Sequence, residues 1–151
     1  MEELPRAGAS AVAIIETPDS FIVEGRPGIP GELAHSGKIG LFGGHKEADQ
    51  TPYDAARAEL DQELGLYFIG PLQLVEDGDF ESENKHGESV VRFVSLFHLA
   101  IVNAAGLNMK VPGHMMEIPK TAEAVKAHKE RMTTFTFRAL YRATTGELPP
   151  E

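Results

Sequence analysis

Residues 43–66, GGHKEADQTPYDAARAELDQELGL, decide how this chain is read. Paired glycines open the stretch, a short acidic segment follows, and a helix with marked ends closes it. Thr51 is a good N-cap, Pro52 suits the first helical position, Asp54 sits where a capping-box acid belongs, and Gly65 is a natural stop. At about 100° per residue, Glu59 and Glu63 lie one above the other with Gln62 close beside them. Ala56, Leu60 and Leu64 form an adjoining apolar stripe that can dock on a sheet. The helix is thus anchored by one side and offers oxygen ligands from the next. Carboxylates held this close repel each other unless a cation lies between them, and Mg²⁺ favours such oxygen sites. Two glutamates one turn apart are, alone, ordinarily a solvated face; the glycines and caps at fixed spacing point to a site. Gly43 and Gly44 predict a tight turn whose backbone can approach a ligand.

Upstream, Ala9–Glu16 reads as a buried strand, Thr17-Pro18-Asp19-Ser20 as a turn and Phe21–Glu24 as the second strand of a hairpin, with residues 1–8 a loose end. The Pro/Gly-rich segment Arg26–Gly37 reads as a loop leading into the short strand Lys38–Phe42. Its side chains suggest a substrate-facing role, Arg26 toward a phosphate and His35 toward a base or ribose. His45, just after the glycines, is a further candidate for substrate contact.

Downstream, Leu66–Val75 is strand-like with a break at Gly70-Pro71, and Glu76–Gly87 reads as a solvated acidic loop without the spacing of a calcium-binding loop. Glu88–Val102 is the longest strand candidate. Its apolar residues occupy both parities, which predicts burial on both faces between helices. Arg92 interrupts one face and can reach a phosphate; His98 suits a satisfied core or edge position. Residues 112–118 read as a surface turn with Met115 and Met116 packed inward. Helices begin at Thr121 and Thr133, the second stopping at Gly146 with Phe137, Leu140 and Tyr141 as its apolar stripe, and 147–151 form a tail.

A chain of 151 residues with 42 % hydrophobic and 25 % charged residues suits one globular domain with a proper core. The net charge of −9 argues against a nucleic-acid backbone or an anionic membrane as principal partner, and means that metal would help draw in an anionic substrate. The absence of cysteine excludes disulfides, zinc–thiolate sites and thiol nucleophiles. The acidic N-terminus has no hydrophobic signal core and no stretch is long and apolar enough to span a bilayer, which makes a cytoplasmic location the expectation.

Residues 44–66 resemble the Nudix box, the signature of the Nudix hydrolases: a glycine, five residues, a glutamate, seven residues, then Arg-Glu-aliphatic-x-Glu-Glu-x-Gly-aliphatic. Gly44, Glu59, Leu60, Glu63, Gly65 and Leu66 match in register, while Gln50, Ala58 and Gln62 replace a glutamate, the arginine and a second glutamate. The resemblance implies a single Nudix domain over residues 1–151, an α/β/α sandwich with a mixed sheet between helices. It implies Mg²⁺-dependent hydrolysis of a diphosphate bond in a nucleotide-type substrate, a nucleoside diphosphate linked to a group X, with Mn²⁺ able to substitute. By position, Glu59 and Glu63 would be catalytic metal ligands, assisted by the amide oxygen of Gln62 and the carbonyl of Gly43. Glu47 and Asp49 are loop acids that can restore ligand charge. Some relatives supply an acidic base from a loop near residues 112–118, which makes Glu117 and His114 the candidates here, while Arg26, His45 and Arg92 are the candidate substrate contacts. A homodimer is plausible by the same resemblance. The three departures favour one alternative, a Nudix domain that binds a nucleotide without cleaving it; a structural dimerisation module is a third reading.

Overall fold

The computed structural model describes residues 3–26, 37–65, 71–84, 86–103, 105, 107 and 114–150, except for the side chain of His114. Its strands are β1 (Arg6–Glu16), β2 (Ser20–Gly25), β3 (Ile39–Gly40), β4 (Phe42–Lys46), β5 (Gln73–Glu83), β6 (Ser89–Ala100) and β7 (His114–Pro119). Its helices are α1 (Pro52–Leu64), α2 (Ala122–Ala127) and α3 (Thr134–Thr145). Most of the expected loop Arg26–Gly37, with His35, and residues 66–70 of the expected strand Leu66–Val75 lie outside the described residues.

Among the described residues one mixed sheet runs in the order β3-β2-β1-β6-β5, with β4 paired to β1 and β7 paired to β2. The two long central strands, β1 and β6, are parallel, and the other pairs are antiparallel. β1 pairs with β2 only at Ile15 and Glu16, and with β4 from Ala9 to Ala13. The first hairpin therefore splits, and the chain through β3 and β4 fills the opening.

Period-two alternation then sorts the side chains into two cores. Ala11, Ala13, Ile15 and Ile22 face α1, where they meet Phe42, Ala56, Leu60, Leu64 and Phe97. Ile14, Phe21, Val23 and Leu96 face the opposite way, onto Val125, Phe137 and Leu140 of α2 and α3. This is the expected α/β/α sandwich, with β6 buried on both faces through Val94–Phe97.

Four sequence-based expectations are corrected. Residues 1–8 are not wholly a loose end: β1 starts at Arg6, whose guanidinium meets Asp79 of β5 at 2.6 Å. Gly43 and Gly44 do not form a turn; they lie inside β4, opposite Val12 and Ala11. The acidic segment 76–87 is mostly strand. Asp77, Asp79, Glu81 and Glu83 take the exposed face of β5, while Glu76 and Phe80 face α3, so composition hid a period-two pattern. Phe80 packs edge-on against Phe135 at 5.0 Å and under Arg138, and Glu76 accepts from Arg142 at 2.8 Å. Residues 114–119 are a strand rather than a surface turn, with Met115 and Met116 packing against opposite cores.

α1 is built mostly of strong helix formers, and burial of its apolar side holds it on the sheet. Leu60 is fully buried against the sheet. Leu60→Ala should destabilise the protein by about 2–5 kcal/mol, the usual cost of removing a buried leucine side chain. Urea unfolding of the two proteins checks this; a loss within error of zero would mean that α1 does not dock as described.

Candidate functional site

The caps of α1 fix where its carboxylates begin and end. Thr51 Oγ1 accepts the Asp54 N–H at 3.1 Å, and Gly65, left-handed at φ 70°, donates its N–H to the Asp61 carbonyl. Within that frame Glu63 turns toward β4 and its Oε1 accepts the Gly43 N–H at 2.9 Å. Glu59 lies flat on Gly44, where a Cβ would come within 2.9 Å of Oε2. A Cβ on Gly43 would stand 2.3 Å from the Ala11 carbonyl oxygen, in a backbone at φ 142°. Gly43 is thus required by its close approach to a neighbouring strand, whereas a side chain at Gly44 would displace the Glu59 carboxylate.

A third carboxylate joins them from β2. Glu24 is only 8 % exposed, as is Glu63, and sits close enough to repel it. Burial, then repulsion from Glu24 and Glu59, push the Glu63 carboxyl up to about 7, against the lowering effects of the Gly43 N–H and Arg26. Burial also raises Glu59, with His45 working in the other direction. Sequence reasoning missed Glu24. The available signal was its parity: it shares the α1-facing side of β2 with Ile22, where a carboxylate is out of place.

Arg26 completes this corner. Its Nε donates to Glu24 Oε1 at 3.2 Å, and its guanidinium occupies the space over Gly40, where a Cβ would lie 2.7 Å from Nη2. The backbone of Gly40 carries no left-handed strain, so the space for Arg26 is what a side chain there would take.

Next to the carboxylates, a cavity of about 250 Å³ opens on the α3 side of the sheet, lined in part by Gly43 and Gly44. Arg26, His45 and Arg92, far apart in sequence, all line it. Glu117 does not join them. Register places it opposite Ile22, two residues past the Met115–Glu24 pair, and its Oε1 accepts from Ser20 Oγ at 2.9 Å in a separate cavity with Thr17 and Asn103. The backbone of His114 lies opposite Gly25, at the carboxylate end of β7.

No family model matches the sequence, and no curated protein matches it. Solved structures do match. A MutT Nudix hydrolase from Burkholderia pseudomallei aligns at a TM-score of 0.67 and 19 % identity, over 91 % of this chain and 97 % of that one. The dihydroneopterin triphosphate pyrophosphohydrolase of E. coli aligns at 0.66 and 13 % identity, over 93 % and 97 % of the two chains. The bifunctional NMN adenylyltransferase/ADP-ribose pyrophosphatase of Francisella tularensis, solved with AMP and a manganese ion, aligns at 0.63 and 18 % identity, over 91 % of this chain but 40 % of that one. The fold is that of the Nudix hydrolases.

The departures from the Nudix box can now be placed. Gln50 closes the turn before α1, its Oε1 accepting the Glu47 N–H at 3.0 Å, and Glu47 and Asp49 stay exposed in that turn. Arg57, one position from the missing box arginine, lies over the ring of Tyr53 rather than near the glutamates. Gln62 is exposed. Among the described residues no three carboxylates or imidazoles converge as a ready-made metal cage. The donors present nonetheless fit Mg²⁺ or Mn²⁺. Such ions take oxygen ligands, are commonly held by one or two carboxylates with water and substrate phosphates completing the shell, and would relieve the repulsion that raises Glu63.

That repulsion has a measurable consequence. Below pH 4.5 Glu63 is protonated in folded and unfolded chains alike; between 4.5 and about 7 the folded chain holds the proton more tightly. Its contribution to stability therefore falls as pH rises through that window and is fully lost above about 7. Without divalent metal, Glu63→Gln should be more stable than the parent above pH 7, with the difference shrinking toward pH 4.5. Urea titrations of both proteins across this range check it, and a pH-independent difference would contradict the placement of Glu63.

Proposed function

We propose that this protein hydrolyses a phosphoanhydride bond in a nucleoside diphosphate linked to a second group X, releasing a nucleoside monophosphate and phosphate-X. What carries this reading is the joining of buried Glu63 to the Gly43 N–H, with Glu59 on Gly44, at the edge of a cavity that also takes Arg26, His45 and Arg92. An oxygen-rich corner beside cationic side chains suits a diphosphate on one side and the rest of the substrate on the other.

In this reading Glu59 and Glu63 hold Mg²⁺ or Mn²⁺, with the Gly43 carbonyl and the Gln62 amide oxygen as neutral assistants. The bound ion would neutralise phosphate oxygens and make water more acidic. Arg26, fixed by Glu24 and by the space over Gly40, orients the diphosphate. His45, within electrostatic reach of Glu59, meets the substrate at the rim. The base is assigned to β7 at His114, because Glu117 is committed to Ser20. The expected substrates are small nucleotides, and among the described residues no helix is long and apolar enough to cross a membrane.

A panel of nucleoside diphosphate derivatives, assayed with Mg²⁺ and with Mn²⁺, tests the reading. Cleavage should require metal and stop on chelation. Glu59→Gln and Glu63→Gln should each lower kcat by on the order of a hundredfold or more, the scale expected when metal-derived charge stabilisation is lost. His114→Gln should lower kcat more than it raises KM, whereas Glu117→Gln should stay near the parental rate. Tight nucleotide binding without turnover at any metal concentration would instead establish the non-cleaving alternative, for which Gln50, Ala58 and Gln62 are the sequence grounds.

A further inference from the structure

The chain carries 23 acidic residues and a net charge of −9, yet among the described residues none of the side chains lining the 250 Å³ cavity is a carboxylate. Its charged groups are Arg26 and Arg92, and its hydrogen-bonding groups include the hydroxyls of Ser10, Ser82, Thr133 and Thr136. The two arginines differ. Arg26 is already paired with Glu24, whereas Arg92 makes no ion pair among the described residues.

Their backbones also stand two strands apart, Arg26 just after β2 and Arg92 on β6 with β1 between. The cavity runs across β4, β1, β6 and β5, through His45, Ser10, Arg92 and Ser82. From β4 to β6 is two strand spacings, roughly 10 Å. A diphosphate held at Glu59, Glu63 and Arg26 therefore leaves Arg92 to the distal part of X. The cavity is too small for a whole nucleotide-linked substrate, which needs several hundred Å³. It suits one group with an apolar body, against Phe135 and Val94, and a charged end.

We infer that the cavity selects substrates whose X group carries its own negative charge, a phosphate or a carboxylate, bound by Arg92 with the hydroxyls of Ser82 and Ser10. This rests on the proposed Nudix-type hydrolysis, since it assigns the distal half of that substrate. A cation with no ion pair among the described residues, sharing its cavity with hydroxyls in an acidic protein, is poorly suited to a neutral sugar and well suited to an oxyanion, which gains charge-assisted hydrogen bonds there.

Matched substrates test it: UDP-glucose against UDP-glucuronate, and ADP-ribose against the same molecule phosphorylated on its distal ribose. The pairs separate carboxylate from phosphate. The parent should prefer at least one anionic member by about tenfold to a hundredfold in kcat/KM, the range of a charge-assisted hydrogen bond. Arg92→Gln should bring that ratio close to one, chiefly through KM, and Arg92→Lys should restore part of it. Equal use of both members by the parent, or a preference that survives Arg92→Gln, overturns the inference while leaving hydrolysis standing. If no member is cleaved, the hydrolysis reading fails. Calorimetric binding of the same pairs to parent and Arg92→Gln then decides the charge preference by itself.

Discussion

The bond from the Gly43 N–H to the Glu63 carboxylate ties together everything around the site. It joins the strand that fills the split between β1 and β2 to the helix that covers one face of the sheet. Gly43 must be glycine because Ala11 presses on it, and a side chain at Gly44 would push the Glu59 carboxylate out of its place. A carboxylate in that place is costly, since burial and two neighbouring acids oppose its charge. In the proposed function a divalent cation with a phosphate-bearing ligand would offset that cost.

Charge is divided across the sheet in a way that follows from strand parity. Glu24 and Ile22 point to the α1 side, where the other two glutamates gather, while Ser10, Val94 and Arg92 point to the α3 side. β4, threaded into the split hairpin, is where the two sides meet. Gly43 and Gly44 therefore line the cavity and also touch the carboxylates. A substrate crossing β4 can place anhydride oxygens over one set of groups and the remainder of the molecule over the other.

Much of this was legible from sequence because it rests on local rules. Thr51, Pro52 and Gly65 set the ends of α1, and the apolar stripe told which side would dock. The caps Thr133 and Gly146 did the same for α3. What stayed hidden depends on contacts between distant segments. Glu24 carried a local signal in its parity, but its place beside Glu63 depends on packing between distant segments. Residues 76–83 of β5 read as a loop because their exposed carboxylates suggest solvent, while the pairing with β6 that makes them a strand is non-local. Glu117 and His114 are indistinguishable in sequence, and three residues of register on β7 bring one to Ser20 and leave the backbone of the other opposite Gly25.

The central claim is that divalent cations gather at Glu59 and Glu63 rather than elsewhere on a strongly acidic surface. Amide NMR during a titration with Mn²⁺, which broadens signals near its binding site, tests this most directly. The account predicts that the Gly43 and Gly44 signals broaden at the lowest metal concentrations, and that Glu63→Gln removes the effect. Broadening that begins instead along Asp77, Asp79 and Glu81 of β5, or that is unchanged in the variant, would contradict it.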